Sequence, residues 1–267
     1  MNFTVLTLFP EIIQGYMSAS IMGRALEKGL VTANVIDIRD YSCNKHNRVD
    51  DYPYGGGAGM VMEAEPVYKA CETAKKLCDG KNFRMLCMSP AGRTFDQKMA
   101  GELAGEDNII ILCGHYEGID ERVLELEFRP EDYVSIGDYV LTGGELPALT
   151  IMDAVSRLIP GVLNNEGSAV DESFENGLLE YPQYTRPEEF MGKKVPEILL
   201  SGHHLNIDRW RLKESIIKTL KFRPDIISEC RLEPGKTTRK LLAEIADDPR
   251  LSDEDRQVLD KLLKRNG

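Results

Sequence analysis

The chain has 267 residues, of which 42% are hydrophobic and 29% are charged, and its formal net charge is −11 at pH 7. This composition is typical of a globular protein with a substantial core, and no apolar run approaches the roughly 20 residues that a membrane helix needs, so no membrane span is expected. The acidic balance argues against indiscriminate polyanion binding, because a nucleic-acid binder normally carries a basic surface.

The N-terminus, MNFTVLTLFPEII, has no basic region and reaches Pro10 and Glu11 early, so it predicts a first strand rather than a signal peptide. A cytoplasmic protein is therefore expected. The cysteines form no C-x-x-C pair, and a protein of this size needs no disulfides, so they are predicted to be reduced thiols, mostly in the core. They are Cys43, Cys71, Cys78, Cys87, Cys113 and Cys230.

The first part of the chain alternates strand-like and helix-like segments. Five apolar runs predict strands at residues 3–9, 32–38, 83–88, 108–114 and 132–137. Periodic segments between them predict helices at residues 18–29, 65–80, 94–105 and 146–159, the third starting with Thr94 and Gln97 at capping-box spacing. Alternation of this kind predicts an α/β domain with a parallel sheet over residues 1–160.

The pattern changes at Gly161. Residues 161–176 are polar and have no sustained period, which indicates an interdomain linker or a functional loop. Residues 177–267 predict a small, mainly α-helical domain, with helices at residues 203–220, 237–248 and 252–265.

Three glycine-bearing loops follow predicted strands, at residues 87–93, 113–122 and 136–147. In open α/β sheets ligands bind beyond the carboxyl ends of the strands, and glycine lets a backbone approach a ligand closely. One such loop alone favours a simple turn, but three together favour a pocket. A fourth loop, DDYPYGGGAGM at residues 50–60, lacks the lysine and hydroxyl of a phosphate-binding loop, so neither common nucleotide motif is present.

A local basic segment interrupts the acidic average. Residues 203–223 contain six Lys or Arg against Asp208 and Glu214. This excess favours phosphate contacts by Arg209, Trp210 and Arg211, although a packed Trp with flanking charges is the simpler alternative. The adjacent His203 and His204 have no Cys or His at zinc spacing, so metal binding by them is not expected.

Taken together, these motifs resemble one family, the bacterial tRNA (guanine-N1-)-methyltransferases, which modify the guanine at position 37, next to the anticodon. The resemblance runs in collinear order over most of the chain, through TLFPE, VDDYPYGGGAGMVM, CGHYEGIDERV, SIGDYVLTGGELPAL, RLIPGVL, GLLEYPQYTRP and LSGHH with IDRWR. It implies a SPOUT-type domain with a deep trefoil knot and a helical C-terminal tRNA-binding domain. It also implies an obligate homodimer with active sites at the subunit interface, and S-adenosylmethionine as methyl donor. Periodicity alone predicts an unknotted sheet, because knots are rare.

The resemblance also implies a role for individual residues. It assigns cofactor binding to Met88, Ser89, Pro90, Gly92, Gly114, Tyr116, Glu117, Gly118, Ile136, Gly137, Asp138, Tyr139, Val140, Leu141, Gly143, Gly144 and Pro147. Backbone groups in tight glycine loops are suited to recognising adenine. It assigns tRNA binding to His203, Arg209, Trp210, Arg211 and Lys213.

Methylation of guanine N1 requires removal of a proton, for which a carboxylate is a natural general base. In the family this base is an Asp directly before Ser-Phe, whereas this chain reads SAVDESF. Residue type therefore favours Asp171 and register favours Glu172. Arg157 matches the family arginine that donates to guanine O6. The resemblance further implies Mg²⁺, for which the sequence offers no convergent ligand set.

Two other functions remain open at the level of sequence. An RNA ribose 2′-O-methyltransferase of the same superfamily would not block base pairing, and a nucleotide-binding or RNA-binding module would carry out no chemistry. A reverse-transcription stop at the modified base and calorimetry with S-adenosylmethionine, NAD and ATP distinguish these alternatives.

Overall fold

The structure is a computed structural model that describes residues 1–163, 173–174, 176–230, 232 and 235–265. Its internal contacts divide the chain into two compact units, Met1–Glu166 and Gly167–Gly267. Each unit is described by itself below.

The first unit contains a five-stranded parallel sheet, which confirms the predicted α/β class. The strand order is β2-β1-β6-β5-β7, and a separate antiparallel pair is formed by β3 and β4. The strands are β1 Asn2–Thr7, β2 Thr32–Asp37, β3 Asp50–Asp51, β4 Val61–Met62, β5 Phe83–Thr94, β6 Asn108–Leu112 and β7 Tyr133–Ser135.

Helices pack on both faces of this sheet. They are α1 Pro10–Met17, α2 Ser20–Glu27, α3 Ala64–Leu77, α4 Gln97–Ala104, α5 Glu121–Glu127 and α6 Glu145–Arg157. Every residue of β6 is buried, and its side chains alternate between two apolar clusters: Ile109 and Ile111 belong to one, Ile110 and Leu112 to the other. The sequence of β6 is therefore a continuous apolar run. Polar and apolar residues alternate only in a strand that has one face in contact with water.

Two details of the predicted helices differ from the structure. Helices α1 and α5 were not predicted, because each has only eight or fewer residues next to a glycine- or proline-bearing segment. The predicted cap of α4 at Thr94 is wrong. The capping residue is Asp96, whose carboxylate accepts a hydrogen bond from the Met99 N–H at 2.8 Å. The Asx side chain is a stronger N-cap at this position, and Thr94 belongs to β5.

Strand β5 extends beyond the predicted strand. The sequence predicts a strand to Met88 and then a loop, but β5 continues to Thr94. Met88 and Arg93 both lie opposite Val134 of β7, so residues 89–92 are looped out of the ladder. The strand is interrupted by a bulge and then resumes with polar residues, which hydrophobic periodicity does not detect.

The second unit is mainly helical in its described part. Its helices are α7 Glu197–Leu200, α8 His204–Phe222, α9 Lys236–Ala246 and α10 Asp253–Arg265, preceded by a small hairpin of β8 Glu189–Phe190 and β9 Lys193–Lys194. Its core joins Ile216 and Leu220 of α8 with Leu242 of α9 and Leu259 of α10. The three long helices confirm the helices predicted for residues 203–265.

The cysteines follow the prediction. All six are free thiols; five are buried and Cys43 is exposed. Complete burial raises the pKa of Cys113 well above its ordinary value, which disfavours the reactive thiolate. Within the described ranges, no helix is both long and apolar enough to cross a membrane.

Candidate active site

A cavity of about 310 Å³ lies where β6 and β7 end and where β5 bulges. It brings together the three predicted loops, and almost every residue predicted to hold a cofactor lines it. These are Met88, Ser89, Pro90, Gly114, Tyr116, Glu117, Gly118, Ile136, Gly137, Tyr139, Val140, Leu141, Gly143, Gly144 and Pro147. Three loops that are distant in sequence therefore come together around one cavity.

Gly92 and Asp138 do not line the cavity. Asp138 is exposed, and Gly92 lies against β7. A Cβ added to Gly92 would lie 2.3 Å from the backbone carbon of Tyr133 and the backbone nitrogen of Val134. Gly92 is therefore explained by the close approach of two backbone segments, without direct contact to a ligand.

The second and third loops contact each other through backbone atoms at Gly114 and Gly144. The Gly144 N–H donates to the Gly114 carbonyl at 2.9 Å, and a Cβ on Gly144 would lie 2.6 Å from the Cα of Cys113. A Cβ on Gly143 would lie 2.2 Å from the ring of His115. A side chain at Gly144 would push the two loops apart, so this glycine is required for the shape of the cavity, whereas the neighbour of Gly143 is the His115 side chain.

The fourth glycine-rich segment is attached to the second loop. The Glu117 N–H donates to the Met60 carbonyl at 3.0 Å, and the Met62 N–H donates to the Gly118 carbonyl at 2.9 Å. Burial, followed by the nearby Asp50 carboxylate, raises the pKa of Tyr116. Residues 50–60 thus lie beside the cavity.

A buried polar group next to the cavity was not predicted. His115 lines the cavity, and its Nε2 lies 2.7 Å from Oε2 of Glu145. Glu145 is only 3% exposed, and its Oε1 accepts a hydrogen bond from the Thr7 hydroxyl at 2.5 Å. These residues are far apart in the sequence and none of them completes a motif by itself, so only the tertiary structure identifies the group.

Of the predicted catalytic residues, the structure places Arg157. It is partly buried in the last turn of α6, where a positive charge interacts favourably with the helix dipole. Asp171 and Glu172 lie outside the described residues, so their predicted role stays a prediction.

The residues predicted to bind tRNA lie on or beside α8, but their positive charges have acidic neighbours. Arg209 pairs with Glu244 at 2.6 Å and lowers the pKa of that carboxyl. Lys213 lies 3.2 Å from Asp248, whose pKa is held well below its usual range, chiefly by a hydrogen bond from Arg250.

Aromatic rings contact two further members of this set, Trp210 and Arg211. The guanidinium of Arg211 lies over the Tyr181 ring at 4.8 Å from its centroid, and 3.5 Å from an oxygen of Asp208. Trp210 packs against Tyr184 with ring centroids 6.3 Å apart. His203 is exposed at the residue before α8 begins.

No magnesium site is apparent in the described part of the chain. No three His, Cys, Asp or Glu side chains are grouped there as metal ligands. The Mg²⁺ implied by the resemblance therefore has no assigned ligands.

Comparison with known proteins agrees with the sequence motifs. The family model described as "tRNA (Guanine-1)-methyltransferase TrmD" matches residues 1–229. The matched region includes the whole cavity and helix α8.

Close relatives carry the name tRNA (guanine-N(1)-)-methyltransferase. The protein from Lachnoclostridium phytofermentans is 52% identical over 97% of this chain and 100% of its own length. The protein from Lachnospira eligens is 60% identical over 86% of this chain and 96% of its own length. The protein from Clostridioides difficile is 54% identical over 85% of this chain and 97% of its own length.

Proposed function

Because the chain belongs to the tRNA (guanine-N1-)-methyltransferase family, we propose that it transfers a methyl group from S-adenosylmethionine to N1 of guanine 37 of tRNA. The observation that carries this proposal is the single cavity formed by the three glycine-bearing loops. The family match covers all of these loops.

The cavity fits a donor of this type. Its volume of about 310 Å³ is at the lower end of the range of small-molecule sites, about 300–1,000 Å³. Gly114, Gly143 and Gly144 present backbone rather than side chains, which suits recognition of adenine by N–H and C=O groups. When bound, S-adenosylmethionine supplies an electrophilic methyl group on its sulfonium.

The chain's own residues then handle the proton of the acceptor. Either Asp171 or Glu172 accepts the N1 proton of guanine, and Arg157 donates to O6, where negative charge develops. N1 lies on the Watson–Crick edge, so the guanine must be unpaired or flipped out of its stack. No step is assigned to Mg²⁺, because the described residues do not form a ligand set for it.

The proposal includes the assembly and location that the family implies. The protein acts in the cytoplasm as a homodimer, and residues 177–267 contact tRNA. Exposed apolar side chains beside the cavity, such as Val140 at 86% exposure, support a partner surface there. The trefoil knot is part of this proposal because the chain belongs to this family.

The experiment is transfer of labelled methyl from S-adenosylmethionine to purified tRNA, followed by nucleoside identification and reverse transcription. We expect 1-methylguanosine and a stop at position 37. Readthrough with a labelled ribose would instead support the 2′-O-methyltransferase, and binding of NAD or ATP without S-adenosylmethionine would overturn the proposal.

Single variants test the catalytic residues. We expect either Asp171→Asn or Glu172→Gln to lower kcat by about 100-fold or more, the usual minimum effect of losing a general base. Arg157→Lys should lower kcat while calorimetry shows unchanged binding of S-adenosylmethionine. If both carboxylate variants keep full transfer, the base lies elsewhere.

A further inference from the structure

The group formed by Thr7, His115 and Glu145 joins three parts of the chain at one buried carboxylate. Thr7 is the last residue of β1, His115 follows β6, and Glu145 is the first residue of α6. Strands β1 and β6 are parallel neighbours with Leu6 opposite Leu112, so both hydrogen-bonding partners come from adjacent strand ends.

Both oxygens of Glu145 have a defined partner. The Thr7 hydroxyl donates its hydrogen to Oε1 at 2.5 Å and accepts a hydrogen bond from the Phe9 N–H at 2.9 Å. His115 Nε2 lies 2.7 Å from Oε2, and a carboxylate only accepts, so Nε2 carries the hydrogen. This contact sets the orientation of the His115 ring.

The His115 ring in turn supports the third loop. A Cβ added to Gly143 would lie 2.2 Å from this ring, and residues 115 and 143 form an isolated antiparallel bridge. His115, Gly143 and Gly144 all line the cavity. Glu145 is therefore connected, through His115, to the surface that a ligand would contact.

Stability alone is a poor reason for this carboxylate. Burying a charged group is costly, and replacing a whole buried ion pair with well-packed apolar side chains is often neutral or stabilising. Glu145 is 3% exposed, and its carboxyl group contacts His115, which lines the cavity. We propose that Glu145 is a positioning residue that holds the second and third loops in the shape required for the methyl donor. This inference rests on the proposed function, because it assumes the donor occupies this cavity.

The main test uses Glu145→Gln. The amide keeps the shape of the side chain, but its nitrogen is a donor and cannot accept the second hydrogen bond. We expect KM for S-adenosylmethionine to rise about tenfold and kcat to change less than about twofold, since an effect on positioning reduces binding. The exposed Glu102→Gln is the matched control and should change neither constant. A lower kcat with unchanged KM, or no change at all, would overturn the proposal.

A second pair of variants applies even if Glu145→Gln fails to fold. Thr7→Val removes the hydroxyl and should raise KM for the donor about threefold, whereas Thr7→Ser keeps the hydroxyl and should restore KM. Equal KM values for these two variants would contradict the proposal, because an effect of packing alone does not follow the hydroxyl.

Calorimetry with S-adenosylmethionine separates this inference from the proposed function. If the wild-type protein binds the donor but does not methylate tRNA, the proposed function fails, and the ratio of Kd values between Glu145→Gln and wild type still tests the positioning role. A ratio near ten supports it, and a ratio near one overturns it.

Discussion

The two compact units form their candidate binding surfaces in different ways. The cavity of the first unit depends on close backbone approach, where glycines let the loops after β6 and β7 touch. The α8 region of the second unit depends on pairs of charged side chains, such as Arg209 with Glu244 and Lys213 with Asp248. The first kind of contact is short-ranged and steric, whereas the second is partly exposed and screened by solvent.

This difference bears on the positive charge of the basic segment. Residues 203–223 have an excess of positive charge, but acids from distant parts of the chain lie beside several of these cations. Glu244 and Asp248 come from α9 and the turn that follows it. A count of charges within one segment therefore overestimates the positive field that RNA would meet.

The largest effect is expected from a steric change in the first unit. Gly92→Ala places a Cβ 2.3 Å from the backbone of Tyr133 and Val134, which cannot move aside as a flexible side chain would. We expect the free energy of unfolding to fall by about 3 kcal/mol, at the upper end for overpacking, as measured by denaturant unfolding.

Gly101→Ala is the control for Gly92→Ala. Gly101 lies within α4 and no heavy atom lies within 4 Å of its added Cβ. It should gain about 0.5–1 kcal/mol from helix propensity. Equal stability of the two variants would show that the close backbone approach at Gly92 does not determine the stability of this unit.

A smaller effect is expected from removing a charge in the second unit. The side chain of Asp248 is 7% exposed and pairs with Lys213 and with Arg250, whose side chain is 45% exposed. Asp248→Asn should cost about 2 kcal/mol, less than for a fully buried pair because Arg250 remains solvated. Thermal unfolding monitored by circular dichroism measures it.

Asp253→Asn is the control for Asp248→Asn. Asp253 pairs with Arg256 at 3.3 Å, but its side chain is 97% exposed. Its loss should change the free energy of unfolding by less than about 0.5 kcal/mol. If the two variants were equally stable, burial would not determine the strength of these charge pairs.

The smallest effect is expected on RNA affinity. Glu244→Gln removes the acid that pairs with Arg209, so tRNA should bind about twofold more tightly at low salt, and the gain should shrink as salt rises. Filter binding measures it, with the exposed Glu254→Gln as control. A gain no larger than that of the control would indicate that Arg209 does not contact tRNA.

Much of the fold follows from local patterns. The apolar runs around β1 and β6 and the periodic segments of α3 and α6 identify a parallel α/β sheet, because both properties depend on neighbours within a few residues. The pattern does not reveal the continuation of β5 past Met88 or the cap at Asp96. Both depend on strand pairing and on side-chain geometry rather than on hydrophobicity.

The residues of the site likewise separate into those that the sequence identifies and those that only the structure identifies. The sequence by itself determined the glycine loops, because close backbone approach demands glycine at fixed places, and nearly all of the residues that the motif resemblance assigned to the cofactor line the cavity. Only the tertiary structure decided that Glu145 is buried against Thr7 and His115, and that Arg209 and Lys213 have distant acidic partners. The physical reason is that burial and charge pairing depend on groups far apart in the chain, which no local pattern contains.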